Sequence, residues 1–439
     1  MGIKVAKFGG SSLADAGQFQ KVREIVLADP NRRYVVPSAP GKRHPQDEKI
    51  TDMLYACHRV ARQGGDLAAA FAPVAERYRQ IIAGLGLRVD FEPVLRQAME
   101  GIAQHEEPDY AASRGEYLNG ILLADYLGIP FVDAADVIFF DAADRLDLHK
   151  TGEAMGERLS GLERAVIPGF YGRAADGRIK TFSRGGSDIT GSVVSRAVGA
   201  ELYENWTDVP GFLMADPRIV DHPKVIGTIT YKELRELSYM GATVLHEEAI
   251  FPVRESGIPI NIRDTNDPAA PGTMIVHQVE DEEAQGVVTG IAGHKGFSII
   301  AIEKNMMNAE LGFGRRILQV LEENQINFEH LPTGIDTMSV VVADKELAGK
   351  LDRVVEGIYQ LCEPDSVEIM SNLAIIATVG LGMVRNPGTA ARLFRALADN
   401  HINVRMIDQG SSEINIIVGV MSSDFNRAIN AIYREFVEA

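Results

Sequence analysis

Two short stretches carry residue types that could handle a phosphoryl group. In "VAKFGGSS", Lys7 stands just ahead of Gly9, Gly10 and Ser11. Glycine lets backbone come close to an anion. Amides at a helix start point outward and favour negative charge, and Lys7 can neutralise a phosphoryl oxygen. A Gly-Gly turn alone does not separate this from a plain strand-to-helix turn, and no P-loop pattern is present. In "TFSRGGSDITGS", Arg184, two glycines, Ser187 and Asp188 sit side by side between apolar runs. Helix capping would account for Asp188 but not for Arg184, whose guanidinium can grip a carboxylate with two hydrogen bonds.

Two further stretches add charge. "WTDVPGFLMADPR" contains Thr207, Asp208, Asp216 and Arg218, which could hold a nucleotide; two Asp-containing turns would look the same. "SRGEYL" places Glu116 at or near a helix start, where a carboxylate could bind an ammonium group or simply stabilise the helix.

The elements that must position these residues alternate. "IKVAKF" reads as a strand, and the following segment as a helix, with Phe19, Val22, Ile25 and Val26 at helical spacing. "YVVPSAP" is a second strand, so the opening is a parallel βαβ unit. Residues 51–127 read as largely helical. Strand-like "PFVDAADVIF", "AVIPGFYG" and "RIKTFSR" come next, then helix "ITGSVVSRAVGA" and strand "ELYENWTDV". Helices "YKELRELSYMGA" and "LHEEAIFPVRES" lead to strand "IPINIRD", and the α/β domain ends at about residue 276. Residues 277–286 form a charged linker.

The remainder repeats itself. Segments from "FSIIAIEK" to "SVEIM" read β-α-β-β-α-β, and those from "LAIIATVGLG" onward repeat the pattern without its last strand. "NQINFEHL" matches "NHINVRMI", which marks a duplication. The segment 287–293 is expected to supply the missing strand.

The chain has 439 residues, 46% hydrophobic, with net charge -17. That is room for more than one core, and the acidity argues against nucleic-acid or membrane-surface binding. No apolar run reaches the ~18 residues of a membrane span, and the N-terminus lacks the apolar core of a signal peptide. The two cysteines, Cys57 and Cys362, make no disulfide framework. A reducing cytoplasm is the expected location. "ATVGLGMVRNPG" fails the dinucleotide pattern at Arg385, and "VLHEEA" lacks the final His of a zinc motif. Cys57 and His58 read as structural.

Taken together, "KFGGSS", "VVPSAPG" with "KITDML", "SRGEYL", "TFSRGGSD", "WTDVPGFLMADPR" and "GATVLH" resemble the aspartokinases of the amino-acid kinase superfamily. The C-terminal pair resembles ACT modules, above all in "VRMIDQGSSEINIIVGV". The resemblance covers essentially the whole chain. It implies an α/β/α sandwich with a mostly parallel sheet over residues 1–276. A regulatory region over 287–439 would hold one ACT module at 297–370 and another at 371–439.

The activity implied is transfer of the ATP γ-phosphate to the β-carboxylate of L-aspartate, opening lysine, methionine and threonine synthesis. Lys7 and Asp188 match the catalytic pair, and Gly9, Gly10 and Ser11 the phosphate loop. Ser38, Thr51, Glu116, Arg184 and Ser187 match the aspartate pocket. Thr207, Asp208, Asp216 and Arg218 match the nucleotide site. Mg²⁺ would be held by phosphates and water, with no protein metal ligands. The ACT pair implies an amino-acid effector, lysine with or without threonine, walled by Met307, Phe313, Asn327 and Asp336. It also implies a homo-oligomer, dimer or tetramer. The sequence departs from the family's pattern at Thr243, where many relatives have lysine, at Leu213, where some carry tyrosine, and in the insertion "KRHPQDEK". A kinase for another amino-acid carboxylate, such as glutamate, and a silent amino-acid sensor remain the alternatives.

Overall fold

Every residue of the strand Lys4–Phe8 after the first is buried, as its near-continuous apolar run requires of a central parallel strand. In the computed structural model it is third in a seven-stranded sheet. The order is Ala165–Val166, Arg32–Pro37, Lys4–Phe8, Leu202–Thr207, Ile260–Asp264, Thr273–Val276, Thr228–Thr230. All neighbours run parallel except Ile260–Asp264 with Thr273–Val276. The structure describes residues 2–183, 185–242, 247–279 and 286–438, with backbone only at 247–250.

The opening βαβ unit forms as the sequence pattern demands. Asp15 caps the helix Ala16–Ala28 by accepting the Gln18 amide, and Phe19, Val22, Ile25 and Val26 are all buried. The helical region holds Ile50–Arg62, Leu67–Leu85, Glu92–Gln104 and Pro108–Leu127. "PFVDAADVIF" is not the strand it resembles. Asp133 caps a helical turn, Ala134–Val137, because an Asp followed by two alanines favours helix initiation. Only isolated bridges at Phe131 and Phe139 remain of the expected pairing.

The chain divides into two compact units, and the division is not one cut. The first holds Met1–Phe212, Val225–Tyr231 and Val244–Val279. The second holds Leu213–Lys224, Lys232–Thr243 and Glu280–Ala439. Two segments from the expected catalytic span of 1–276 therefore pack with the C-terminal region.

In the second unit a five-stranded antiparallel sheet runs Thr337–Ala343, Gly290–Glu303, Ser366–Val379, Asn415–Met421, Met406–Asp408. Its two long strands serve both copies of the duplication. Residues 297–303 pair with 366–373 in the first copy, and residues 290–295 pair with 374–379 in the second. The register shifts between these halves, at Lys295/Phe297 and Phe297/Ile299. Helices Phe313–Glu323 and Leu351–Cys362 cover the first core; Thr389–Asp399 and Phe425–Tyr433 cover the second. "INFEHLPT" makes only single bridges, at His330 and Thr333, instead of a full strand.

Candidate active site

Lys7 lies at the carboxyl end of its strand and is 7% exposed. Its Nζ is 2.6 Å from Asp188 Oδ1. Asp188 sits in the first turn of the helix Gly186–Ala197, whose cap is Gly185 at φ +59° with no side-chain cap bond. Asp188 therefore does not act as the helix cap that its position suggests; its carboxylate goes to the lysine. Asn205, on the neighbouring strand and in register with Lys7, completes a triangle. It accepts from Lys7 Nζ at 3.3 Å and donates to Asp188 Oδ1 at 2.9 Å.

The glycine loop is shaped by a second backbone. The Gly41 amide donates to the Gly10 carbonyl at 2.8 Å. A β-carbon on Gly41 would lie 2.6 Å from the Gly10 carbonyl carbon, so the two chains can cross only as glycines. Arg77 braces this crossing, donating to the Gly41 carbonyl at 3.0 Å and to Asp47 at 2.7 Å. Asp47 also binds Arg43 at 2.8 Å, and these guanidinium contacts hold its carboxyl well below the usual range. Arg43 of the "KRHPQDEK" insertion is thus engaged within its own loop. Ser11 begins the short turn Ser11–Leu13, and the neighbouring Ser12 hydroxyl bonds Thr265 at 2.7 Å.

The same second loop reaches Glu116. The Ser38 amide donates to the Phe8 carbonyl at 3.0 Å, and Asn119 Nδ2 donates to the Ser38 carbonyl at 2.6 Å. The Ala39 amide bonds the Glu116 carboxyl. Glu116 is not at a helix start: its helix begins at Pro108, with proline in the first turn, where the missing N–H costs nothing. Glu116 is 5% exposed, and its Oε2 has no hydrogen-bond partner among the described residues. Burial pushes its pKa up to about 8, because removing a carboxylate from water disfavours its charged form. Two residues earlier, Arg114 is walled by the rings of Tyr110 at 4.4 Å and Tyr117 at 4.2 Å, a cation–π clamp that steadies this stretch of helix.

Ser187 is buried in the first turn of the Asp188 helix, against Gly169, where a β-carbon would lie 2.6 Å from its Oγ. The next residue, Phe170, has φ +79°, a strained value for a bulky side chain. Thr51 occupies the first turn of Ile50–Arg62. Thr207 ends the strand that carries Asn205, and its hydroxyl donates to the carboxylate of the following Asp208 at 3.2 Å. Arg184 and Thr243 lie outside the described residues. A cavity of about 600 Å³ is lined by Tyr55, Asp109, Lys180, Thr181, Phe182 and Ser183, among others.

Lys7, Gly9, Gly10, Ser38, Glu116, Ser187 and Asp188 are thereby linked into one locality. Asp216 and Arg218 belong to the second unit and pair with each other at 2.6 Å. Met307 and Phe313 are buried in the core of the first ACT copy. Asp336 is exposed and accepts the Met306 amide at 2.8 Å. Asn327 lines a separate groove with Leu318, Ile326 and Phe328. Among the described residues no cluster of three metal-ligating side chains occurs, and no helix is long and apolar enough to cross a membrane.

Asn205 and Phe170 escaped the sequence reading. Asn205 had a signal: a polar side chain inside "LYENWT", in a strand expected to lie beside the first. Phe170 had none, since backbone strain leaves no mark in composition.

Residues 2–264 match the amino acid kinase family, and residues 376–436 match an ACT domain. The chain is 40% identical to aspartokinase 3 of Bacillus subtilis over 450 aligned residues, covering 99% of this chain and 98% of that protein. It superposes on the aspartate kinase of Clostridium acetobutylicum with TM-score 0.91 and 53% identity, over 99% of this chain and 100% of the other. Escherichia coli aspartokinase III, crystallised with aspartate and ADP, gives TM-score 0.71 and 25% identity, over 99% of both chains. With a lysine–aspartate pair at its glycine loop and full-length likeness to these enzymes, the chain belongs to the aspartokinases.

Proposed function

We propose that this site transfers the γ-phosphoryl group of ATP to the β-carboxylate of L-aspartate, giving 4-phospho-L-aspartate. The observation that carries the reading is the buried Lys7–Asp188 pair at a glycine loop whose partner loop reaches the half-satisfied carboxyl of Glu116. The acceptor carboxylate, with a pKa near ~4, is ionised at neutral pH and needs no general base. The difficulty is bringing it to a triphosphate against like-charge repulsion, and positioning with charge compensation supplies the catalysis.

Lys7 faces the phosphoryl oxygens, and the loop of Gly9, Gly10 and Ser11 lines the phosphate path, with the amides of Gly10 and Ser11 toward it, since the Gly9 amide donates to the Trp206 carbonyl at 2.9 Å. Asp188 orients Lys7 and removes no proton. Glu116 takes the α-ammonium of aspartate as a carboxylate, its own proton passing to solvent as the substrate binds. Ser38, Thr51 and Ser187 complete the pocket, with Arg184 on the α-carboxylate. Thr207 and Asp208 serve the nucleotide, together with Asp216 and Arg218. Mg²⁺ would suit this site through the phosphates and water, since among the described residues no group of three metal-ligating side chains occurs. When bound, it neutralises charge on the β- and γ-phosphates. The ACT copies bind an end-product amino acid, lysine with or without threonine, at Met307, Phe313, Asn327 and Asp336, and join subunits into a homo-oligomer. The enzyme works in the cytoplasm, in the opening step toward lysine, methionine and threonine.

Acyl phosphate trapped as hydroxamate, from ATP and Mg²⁺ with aspartate or glutamate and with or without lysine and threonine, tests this. Aspartate-dependent product that drops by about 10³-fold in Lys7→Ala is expected. Equal product from glutamate removes the substrate assignment, and full activity in the variant removes the role of Lys7.

A further inference from the structure

We propose that Asn205 is a positioning residue that sets the rotation of the Lys7 ammonium and holds Asp188 independently of it. The inference rests on the phosphoryl-transfer reading above.

An ammonium group has three N–H donors. Among the described residues, Lys7 Nζ has two polar partners: Asp188 Oδ1 at 2.6 Å and Asn205 Oδ1 at 3.3 Å. With Cε and two acceptors in place, tetrahedral nitrogen fixes the direction of the third N–H. That donor is left for a ligand. The ammonium borders the glycine loop, since a β-carbon on Gly9 would come within 3.6 Å of Nζ. With Asp188 alone, the ammonium could rotate about the ion pair and offer its free donor over a wide arc.

Asn205 also solves a second problem. In the free site the lysine charge is matched by Asp188. When phosphate oxygens take a share of that charge, Asp188 loses part of what holds it. Asn205 Nδ2 donates to the same Oδ1 at 2.9 Å, and two residues earlier Tyr203 donates its hydroxyl to the Asp188 carbonyl at 3.1 Å. Tyr203 and Asn205 share one face of the strand Leu202–Thr207, so the strand grips Asp188 at two points that do not depend on Lys7. The site calls for a side chain that accepts from a cation and donates to an anion at once, in a position only 4% exposed. A primary amide does both, and one amide orientation satisfies both partners. Leucine fills the volume and does neither. Aspartate accepts from Lys7 but sets a second carboxylate against Asp188.

The test is steady-state kinetics on the full chain with Asn205→Leu and Asn205→Asp, alongside thermal melting. For Asn205→Leu, kcat should fall about 10- to 100-fold, as misplacement of a reacting group does, with KM for ATP and aspartate each within about 3-fold of wild type. For Asn205→Asp, the acid limb of the kcat–pH profile should move upward by about one pH unit, because two adjacent carboxylates raise one pKa. A purely structural role predicts a lower melting temperature with kcat and the pH limb unchanged in both variants, and that result overturns the proposal. The controls separate it from its foundation. If wild type makes no aspartyl phosphate, or Lys7→Ala retains full activity, the transfer reading fails and takes this inference with it. If Lys7→Ala is inactive but both Asn205 variants turn over at the wild-type rate, only the positioning role fails.

Discussion

At Lys7–Leu13 a strand runs through Gly9 and Gly10 into a short helical turn; at Val379–Arg385 another runs through Gly380 into a similar turn that itself contains Gly382. In the second passage backbone closes over the loop. A β-carbon on Gly382 would lie 2.6 Å from the Gly286 carbonyl, and one on Gly380 would be 2.9 Å from the Thr289 amide. The strand residue before Val379 is Thr378, whose buried hydroxyl has no partner. In the first passage Gly10 is likewise crossed by Gly41, but the nearest atoms to a β-carbon on Gly9 are 3.5 Å away. The residue two before Gly9 is a lysine paired to a carboxylate. A glycine loop therefore announces that something comes close. The charge beside it decides whether that is backbone or an anion.

The largest effect should come from placing a methyl group at each crossing. Gly41→Ala forces its backbone off Gly10, so kcat/KM for ATP should fall about 100-fold, the loss that follows a displacement of roughly 1 Å. Gly382→Ala should lower the melting temperature, by the ~1–3 kcal/mol of an overpacked site, with unchanged kcat per folded molecule. Initial rates and melting curves on both variants read this, and equal loss of kcat in the two would dissolve the contrast.

Glu116 gives an intermediate effect. Folded and ligand-free, its carboxyl holds its proton to about pH 8, against an ordinary 4.5 in the unfolded chain. The folded state binds the extra proton in between, so this group's stabilisation is present below the ordinary pKa and is lost as pH rises toward 8. Melting temperature should fall across that window more steeply in wild type than in Glu116→Gln. Aspartate KM should fall as pH approaches 8 in wild type and stay high and flat in the variant. A wild-type profile parallel to the variant's would show that Glu116 is ionised before substrate arrives.

The smallest effect concerns Arg218, exposed and paired to Asp216. As a nucleotide contact, its replacement by alanine should raise the KM for ATP by about 3- to 10-fold, the loss of one exposed charge-assisted bond, with aspartate KM unmoved. Unchanged KM for ATP would confine the pair to its turn.

Much of this was legible beforehand because it is local. Apolar spacing predicted the helix Ala16–Ala28, and the repeated "INF" and "INV" segments revealed the duplication. Where local signals competed, the sequence misled. "PFVDAADVIF" is rich in strand formers, yet Asp133 starts a helical turn. The polar residues before "SRGEYL" point to a helix start near Glu116, while Pro108, eight residues earlier, begins the helix. Asp188 stands where a cap belongs, but Lys7, 181 positions away in sequence, outcompetes the helix amides for its carboxylate, since an ion pair in a poorly solvated site outweighs a neutral donor.

The amino-acid sequence by itself determined the order of elements, the glycine loops, the titratable groups available and the family. These follow from periodicity, backbone permissiveness and residue chemistry read over short windows. Only the tertiary structure decided which groups meet: Asn205 with Lys7 and Asp188, Gly41 across Gly10, and Glu116 buried with one oxygen unsatisfied. It also decided that residues 213–224 and 232–242 pack with the C-terminal unit. The physical reason is that burial and pairing depend on strand register and on contacts between distant segments. A carboxylate on the surface and one sealed in the core are the same letter until the chain has folded.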